Sequence, residues 1–254
     1  QPGAAHQGDG GEVTHGLFGA HGGATGAGIV NLALELGQQA AQLAAAQALP
    51  AAYLRQVFES EEAQRWPTKK LGDVCNFIGG SQPPKSTFRY SPHPDYIRMV
   101  QIQDFRLNNV AVYIPSSLAN RTFGEDDVMI GRYGPPVFQI LRGLSGAYNV
   151  ALMKAEPKEG MTKEFLFYLL QEPTLQRQVV EQSQRSAGQS GVNRQFLESY
   201  KMRIPPKELQ LHLAARIDKQ LAIAKKTVGL VSNQVEPLNS LAEAVLRQAF
   251  NGEL

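Results

Sequence analysis

An α+β fold, in which a strand-rich domain is flanked by long coiled-coil-forming helices, is what the 254-residue sequence predicts. Three observations carry the prediction. Ala, Leu and Gln, all strong helix formers, dominate residues 29–60. Short β-branched and aromatic runs, punctuated by Pro, Gly, Asn and Asp, fill the middle. Near the end, apolar residues return at heptad spacing.

In chain order, residues 1–27 are rich in Gly and poor in large apolar side chains, the composition of a disordered Gly-rich tail. His6, His15 and His21 fall there at no metal-binding spacing, and "GGATGAG" lacks the preceding strand and closing Lys-Ser/Thr of a phosphate loop. Residues 28–65 form a helical region in which Pro50 is expected to kink the helix or start a new one. Residues 66–204 form one α+β domain. "YIRMVQIQDF", "NVAVYIP", "DVMIGRYG" and "NVALMKAEP" are its expected strands, and Thr162 is the expected N-cap of a helical stretch after them. In residues 205–254, Ile217, Leu221, Ala224, Val228, Val231, Val235, Leu238, Ala242, Val245 and Ala249 recur at alternating steps of 4 and 3. So narrow a stripe favours helix against helix over a helix lying on its own domain. Its span is ~48 Å at ~1.5 Å per residue, and Pro237 is expected to divide it.

Composition excludes several classes. The lone cysteine, Cys75, rules out an internal disulfide framework, fits a reducing cytoplasm, and reads as a small buried residue rather than a nucleophile. No apolar run approaches the roughly 18 to 20 residues of a membrane span, and no signal-peptide pattern opens the chain. Gln1 is not an initiator Met, so a trimmed chain or a fragment is expected. Residues 66–204 hold 17 Lys and Arg against 12 Asp and Glu, a surplus of 5, whereas the flanks are mildly acidic. A basic middle suits a polyanion.

No catalytic constellation stands out. "EDD" at 125–127 reads as a turn into the next strand, and the "IPP" at 204–206 lacks the Asn or Asp and the aromatic of an adenine methyltransferase tetrapeptide. Polar loops carry more. "GGSQPPKSTFRY" presents Lys85, Ser86, Arg89 and Tyr90, and "GRYGPP" puts Arg132 and Tyr133 on a tight turn. "SQRSAGQSGVNRQF" combines Arg185, Gln189, Asn193 and Arg194 with small residues. Arg reads guanine and Asn or Gln reads adenine through paired hydrogen bonds, while Ser, Lys and backbone N–H groups hold phosphates. Each loop alone has the polarity of any exposed loop. Together, on a basic domain, they favour duplex DNA.

One repeat remains. "LPAAYLRQVFESE" at 49–61 returns as "LAEAVLRQAFNGE" at 241–253, an offset of 192 residues.

Taken in order, "WPTKKLGDVCNFIGGSQPPK", "YIRMVQIQDF", "DVMIGRYG", "GVNRQFLESYKMRIPPKELQLHLAARID" and the terminal "LRQAFNGEL" resemble the DNA-specificity (S) subunit of Type I restriction-modification systems. With one recognition domain present, the resemblance is to half of such a subunit. It implies a target recognition domain at 66–204 reading one half of a bipartite double-stranded DNA site, between conserved helical regions at 28–65 and 205–254 that form a spacer arm. The helical regions would dock the methyltransferase (modification) subunits, with Arg55 and Gln56 and the repeated Arg247 and Gln248 as docking faces. A restriction (translocase/nuclease) subunit and a second half-subunit through the coiled coil are further implied partners. This non-catalytic chain would bind no cofactor itself, S-adenosylmethionine, ATP and Mg belonging to the partners. Two other readings stay open: a fragment of a fused restriction-methylation enzyme, and a coiled-coil protein-interaction module.

Overall fold

The computed structural model describes residues 19–106, 110–185 and 191–251, by backbone alone at 19–25 and 249. The chain divides into two compact units, Gln1–Gln47 with Lys225–Leu254, and Ala48–Ala224.

The larger unit begins in the last turns of α1 (Gly19–Phe58) and continues through α2 (Glu61–Gln64), β1 (Thr68–Lys70), α3 (Leu71–Val74), β2 (Cys75–Gly79), β3 (Tyr96–Val100), β4 (Val112–Pro115), β5 (Thr122–Phe123) and β6 (Val128–Gly131). Then follow β7 (Gln139–Leu141), β8 (Gly146–Tyr148), β9 (Leu152–Pro157), α4 (Lys163–Leu169), α5 (Pro173–Arg185), α6 (Arg194–Ser199), β10 (Lys201–Arg203) and the first half of α7 (Lys207–Phe250). The mixed fold predicted from sequence is borne out, and each predicted strand contains one of β3, β4, β6 and β9.

Two four-stranded sheets form the scaffold. One has the order β2-β9-β6-β7, and the other β4-β3-β8-β5 with β3 and β8 parallel; β1 and β10 make a short ribbon. Val100, Phe123 and Tyr148 of the second sheet meet Met129 and Leu152 of the first in a shared core. The larger core joins the first sheet to α3–α7 and the end of α1, with Phe77, Phe165, Leu166, Leu197 and Ile217 fully buried.

Caps explain where the helices begin. The Thr162 hydroxyl accepts the Phe165 N–H at 3.3 Å, the predicted cap of α4. The buried Glu172 carboxylate accepts the Thr174 and Leu175 N–H groups at 2.8 and 2.7 Å at the start of α5, where it also complements the helix dipole. Gln210, fully buried, holds the root of α7: its amide donates to the Gly160 and Pro205 carbonyls and accepts from the Thr162 N–H. A buried amide this completely paired stabilises the joint it spans.

In the smaller unit, Val228, Val231, Val235, Leu238, Ala242 and Val245 of α7 are half-buried among mostly exposed neighbours, at the seam positions predicted from sequence. On α1 the less exposed residues are Leu32, Leu36, Gln39, Leu43 and Ala46, also at steps of 4 and 3. Gly28, Ile29, Leu32 and Glu35 line a groove with Leu241 and Val245, so early turns of one helix meet late turns of the other, as in an antiparallel pair. The start of the α7 seam behaves differently: Ile217 belongs to the core of the larger unit and Leu221 packs on it.

Two expectations need correction. Residues 19–27 lie in α1 rather than in an unstructured tail, because extending an existing helix adds one hydrogen bond per residue without a new nucleus; residues 1–18 lie outside the described residues. Pro237 does not divide α7, and of the two outcomes expected at Pro50, a kink or a new helix, the new helix does not form. Less exposed neighbours on either side, Ala46 and Tyr53 for Pro50 and Val235 and Leu238 for Pro237, hold each helix through the lost hydrogen bond.

Candidate nucleic-acid interface

The turn after β6 is the centre of the polar surface. β6 is buried along its whole length because it lies between β9 and β7, and Gly131 closes it where a Cβ would approach the Ile102 Cδ1 to 2.4 Å. The chain then turns through Arg132 and Tyr133, with Gly134 at φ +89° and the buried Phe138 at φ +62°. A bulky residue with positive φ is strained, and burial against the core together with the bond from its N–H to the Gly131 carbonyl at 3.0 Å holds it there.

Three segments brace this turn. The Arg132 N–H donates to the Ala151 carbonyl at 2.9 Å, and its Nη1 donates to the Val150 carbonyl at 3.3 Å. From the other side the Val192 N–H donates to the Arg132 carbonyl at 3.1 Å, and Gly191 lies against the Tyr133 ring. The Arg132 guanidinium sits 5.1 Å from the Tyr133 ring centre, and its Nε is buried without a hydrogen-bond partner among the described residues. A third brace is Arg106, whose guanidinium donates to the Gln139 carboxamide and, at 3.3 Å, to the Pro135 carbonyl; Gln139 in turn donates to the Pro136 carbonyl at 2.8 Å. Finally, residues 148–152 tie in the first Gly/Pro-rich loop. The Gly80 and Ser81 N–H groups donate to the Leu152 and Tyr148 carbonyls, and the Tyr148 hydroxyl donates to the Ile78 carbonyl at 3.2 Å.

The predicted residues therefore separate into groups. Arg132, Tyr133, Asn193 and Arg194 come together around the β6 turn. Lys85, Ser86 and Arg89 are exposed on a 3-10 turn and strand bridge attached to the other sheet, where Arg89 pairs with Tyr113 and its guanidinium stacks 4.8 Å from the Tyr96 ring centre. His93 packs edge-on against the same ring. Arg185 is exposed at the end of α5, 3.9 Å from Glu181, and Gln189 lies outside the described residues. Asn193 carries a structural duty: its carboxamide accepts the Phe196 N–H at 3.1 Å and caps α6. Arg194 pairs with Glu198 at 2.7 Å. Arg55 and Gln56 are exposed in the larger unit, Arg247 and Gln248 in the smaller one.

Arg106, Gln139 and Val150 were not singled out from sequence. Arg106 and Gln139 lie 33 residues apart, and no local pattern announces such a pair.

Elsewhere, burial pushes the Cys75 thiol up to about 12, and its Sγ donates to the Leu71 carbonyl at 3.4 Å. That is the environment of an inert packing residue. No helix among the described residues is long and apolar enough to cross a membrane.

Comparison with known proteins gives a consistent set of likenesses. Residues 63–227 match the model of the Type I restriction modification DNA specificity domain. The specificity subunit of Type I restriction enzyme MjaVIII from Methanocaldococcus jannaschii is 22% identical over 186 residues, which cover 73% of this chain and 42% of that protein. The EcoKI specificity subunit of Escherichia coli strain K12 is 23% identical over 107 residues, 42% of this chain and 23% of that one. Among solved structures, a chain from a study of complex assembly and conformational transition of the type I R-M system superposes with a TM-score of 0.71 at 20% identity, over 91% of this chain and 58% of its own. The HsdS subunit from Thermoanaerobacter tengcongensis gives 0.59 at 21% identity, over 91% and 57%. The chain thus spans well under two thirds of the length of these relatives.

Proposed function

Since the chain belongs to the Type I restriction modification DNA specificity domain family, we propose that its larger unit reads one half of a bipartite duplex DNA site. The observation that carries the reading is the braced β6 turn. Arg132 and Tyr133 are held by residues 150–151 and 191–192 on a domain with a basic surplus, Arg106 and Gln139 fix the rest of the turn, and Asn193 and Arg194 follow the bracing Val192 in the chain. Planar donors on a rigid turn suit base edges, because fixing the side chains beforehand lowers the entropy cost of a bidentate contact. Lys85, Ser86 and Arg89, on the neighbouring sheet, would contact phosphates. Arg185 and Gln189 complete the proposed set.

In this reading the chain performs no chemistry. It selects the sequence in the cytoplasm, and methyltransferase subunits docked along the helices, by way of Arg55, Gln56, Arg247 and Gln248, supply S-adenosylmethionine-dependent methylation. The restriction subunit supplies the ATP- and Mg-dependent steps. The paired helices serve as the spacer, and their exposed faces accept a second half-subunit.

The test is binding of the purified chain to duplexes with and without the methylated half-site, titrated with salt. Phosphate contacts predict an affinity that falls linearly in log–log form as salt rises. Affinity that ignores salt would remove the DNA reading and leave a protein-interaction module.

A further inference from the structure

β7 is the least supported strand of its sheet. It has three residues, all half-buried, and lies at the sheet edge, so only β6 holds it by a ladder, in the register Met129–Leu141, Ile130–Ile140 and Gly131–Gln139. A strand so lightly paired takes its position from whatever grips its two ends. At the first end stands Gln139, which belongs to the β6 turn: it accepts from Arg106 and donates to the Pro136 carbonyl at 2.8 Å.

Arg142 follows the last residue of the strand and engages the helices. Its guanidinium lies 4.0 Å from the Phe167 ring centre, and its Nη2 donates to the Tyr168 hydroxyl at 3.3 Å and to Asp218 Oδ1 at 3.2 Å. The Tyr168 hydroxyl donates to the same Asp218 oxygen. One nitrogen thus closes a latch that joins the end of β7 to α4 and to α7, with Asp218 on the part of α7 that belongs to the larger unit. The neighbouring backbone bond, from the Gly143 N–H to the Glu125 carbonyl at 2.9 Å, ties the strand end to the loop before β6 and reaches no helix.

We propose that Arg142 is a positioning residue for the β6 turn: it clamps β7 to α4 and α7, and so sets where Gln139 holds Arg106 and the turn. Three steps of ~3.3 Å separate Gln139 from Arg142 along the strand, about 10 Å, so Arg142 acts through β7 and touches no base itself. The purpose of the clamp rests on the DNA reading of the turn, whereas the clamp itself does not. Coupling between two sites is reciprocal. The root of α7 and the turn therefore respond to each other, and occupancy of the turn is felt in the helix.

Amide hydrogen exchange on the full chain, without DNA, reads the clamp. The Arg132, Phe138 and Val192 N–H groups close the turn by backbone bonds. In Arg142→Ala they should exchange about fivefold faster or more, while the β2–β9 ladder keeps its protection. Arg142→Lys should restore them, because an ammonium can stand over the Phe167 ring and donate to Asp218 from its single nitrogen. If Arg142→Ala fails to fold, Asp218→Ala opens the latch from the other side, at a side chain 64% exposed, with the same pattern expected. Unchanged exchange in the turn, or an equal loss of protection through the whole sheet, overturns the proposal. A second arm uses two duplexes, one selected from a randomised pool by the parent chain and one unselected. Arg142→Ala should weaken the selected duplex about fivefold or more and the unselected one far less. Equal losses on both, with a salt slope lower by about 1, would make Arg142 a phosphate contact and overturn the proposal as well. Failure of the DNA reading looks different: the parent chain would select no duplex, and the exchange result would still decide the clamp.

Discussion

Gly191 lies so close to Tyr133 that a Cβ at 191 would stand 2.6 Å from the ring Cε1 and 3.0 Å from Cδ1. The contact joins the segment before α6 to the turn after β6, and the Val192–Arg132 backbone bond runs beside it. Gly191→Ala should displace the ring rather than the backbone, since the clash is with a half-buried side chain. The expected result is a small change in Tm with a loss of ~1–3 kcal/mol in cognate half-site affinity, the scale of one base contact. In a double-mutant cycle with Tyr133→Ala the two losses should not add, as befits residues in contact.

Arg132 and Arg194 differ in how tightly they are held. Arg132 is fixed by the Val150 carbonyl and the Tyr133 ring, whereas Arg194 makes one exposed ion pair with Glu198. Exposed pairs constrain little. Arg132→Ala should therefore cost ~1–3 kcal/mol on the cognate half-site and little on random DNA. Arg194→Ala should weaken both about equally and lower the salt slope by about 1. Titrations of each variant on the two duplexes distinguish base reading from phosphate contact.

Local signals were legible in the sequence and non-local ones were not. Thr162 was visible as a cap because capping involves residues three apart, and the α7 seam was visible because Val and Leu stand out against Lys, Gln and Asn. The α1 seam was hidden: Ala and Gln fill both its faces, so periodicity has little contrast. Pro237 was misread because packing on flanking turns outweighs a local penalty. The Arg106–Gln139 pair and the Gly191–Tyr133 contact depend on sheet order and loop closure, which no spacing encodes. Asn193 carries two signals. It was assigned to base reading, and an Asn before a helical run is also a cap signal that went unread.

Asn193→Ala separates the cap from base reading. Loss of the bond to the Phe196 N–H should lower stability by ~1 kcal/mol, read as a shift in denaturant midpoint at constant slope. If Asn193 only caps, half-site affinity measured on the folded variant should change much less than with Arg132→Ala. A loss of affinity equal to that of Arg132→Ala, at unchanged stability, would return Asn193 to base reading.

Tyr168 on α4 and Asp218 on α7 predict an alkaline limit. Burial pushes the Tyr168 hydroxyl up to about 12, and the hydrogen bond it donates to Asp218 adds to the shift. Burial likewise raises Tyr148 to about 12. Unfolded tyrosines lose their protons near 10. Between about pH 10 and 12 the native chain therefore holds more protons than the unfolded one, and stability falls as pH rises. The contribution is fully present below pH 10. Urea titrations across this window should show the decline, and Tyr168→Phe should flatten it. An unchanged slope would mean that Tyr168 ionises as freely folded as unfolded.

Gln39 makes the last prediction, because it breaks the apolar stripe of α1 between Leu36 and Leu43. Its Oε1 is buried and has no hydrogen-bond partner among the described residues. An unpaired buried carboxamide oxygen costs ~1–3 kcal/mol, so Gln39→Leu should raise the Tm of the full chain. A polar residue at one seam position can still be retained, since it disfavours shifted pairings in which it would be buried more deeply against apolar side chains. The substitution should then add stability while relaxing register. Cysteine pairs placed across the α1–α7 seam would report this, forming disulfides in one register in the parent and in several in Gln39→Leu. A destabilised variant would show instead that the carboxamide is satisfied in solution, and that Gln39 strengthens the helix pair directly.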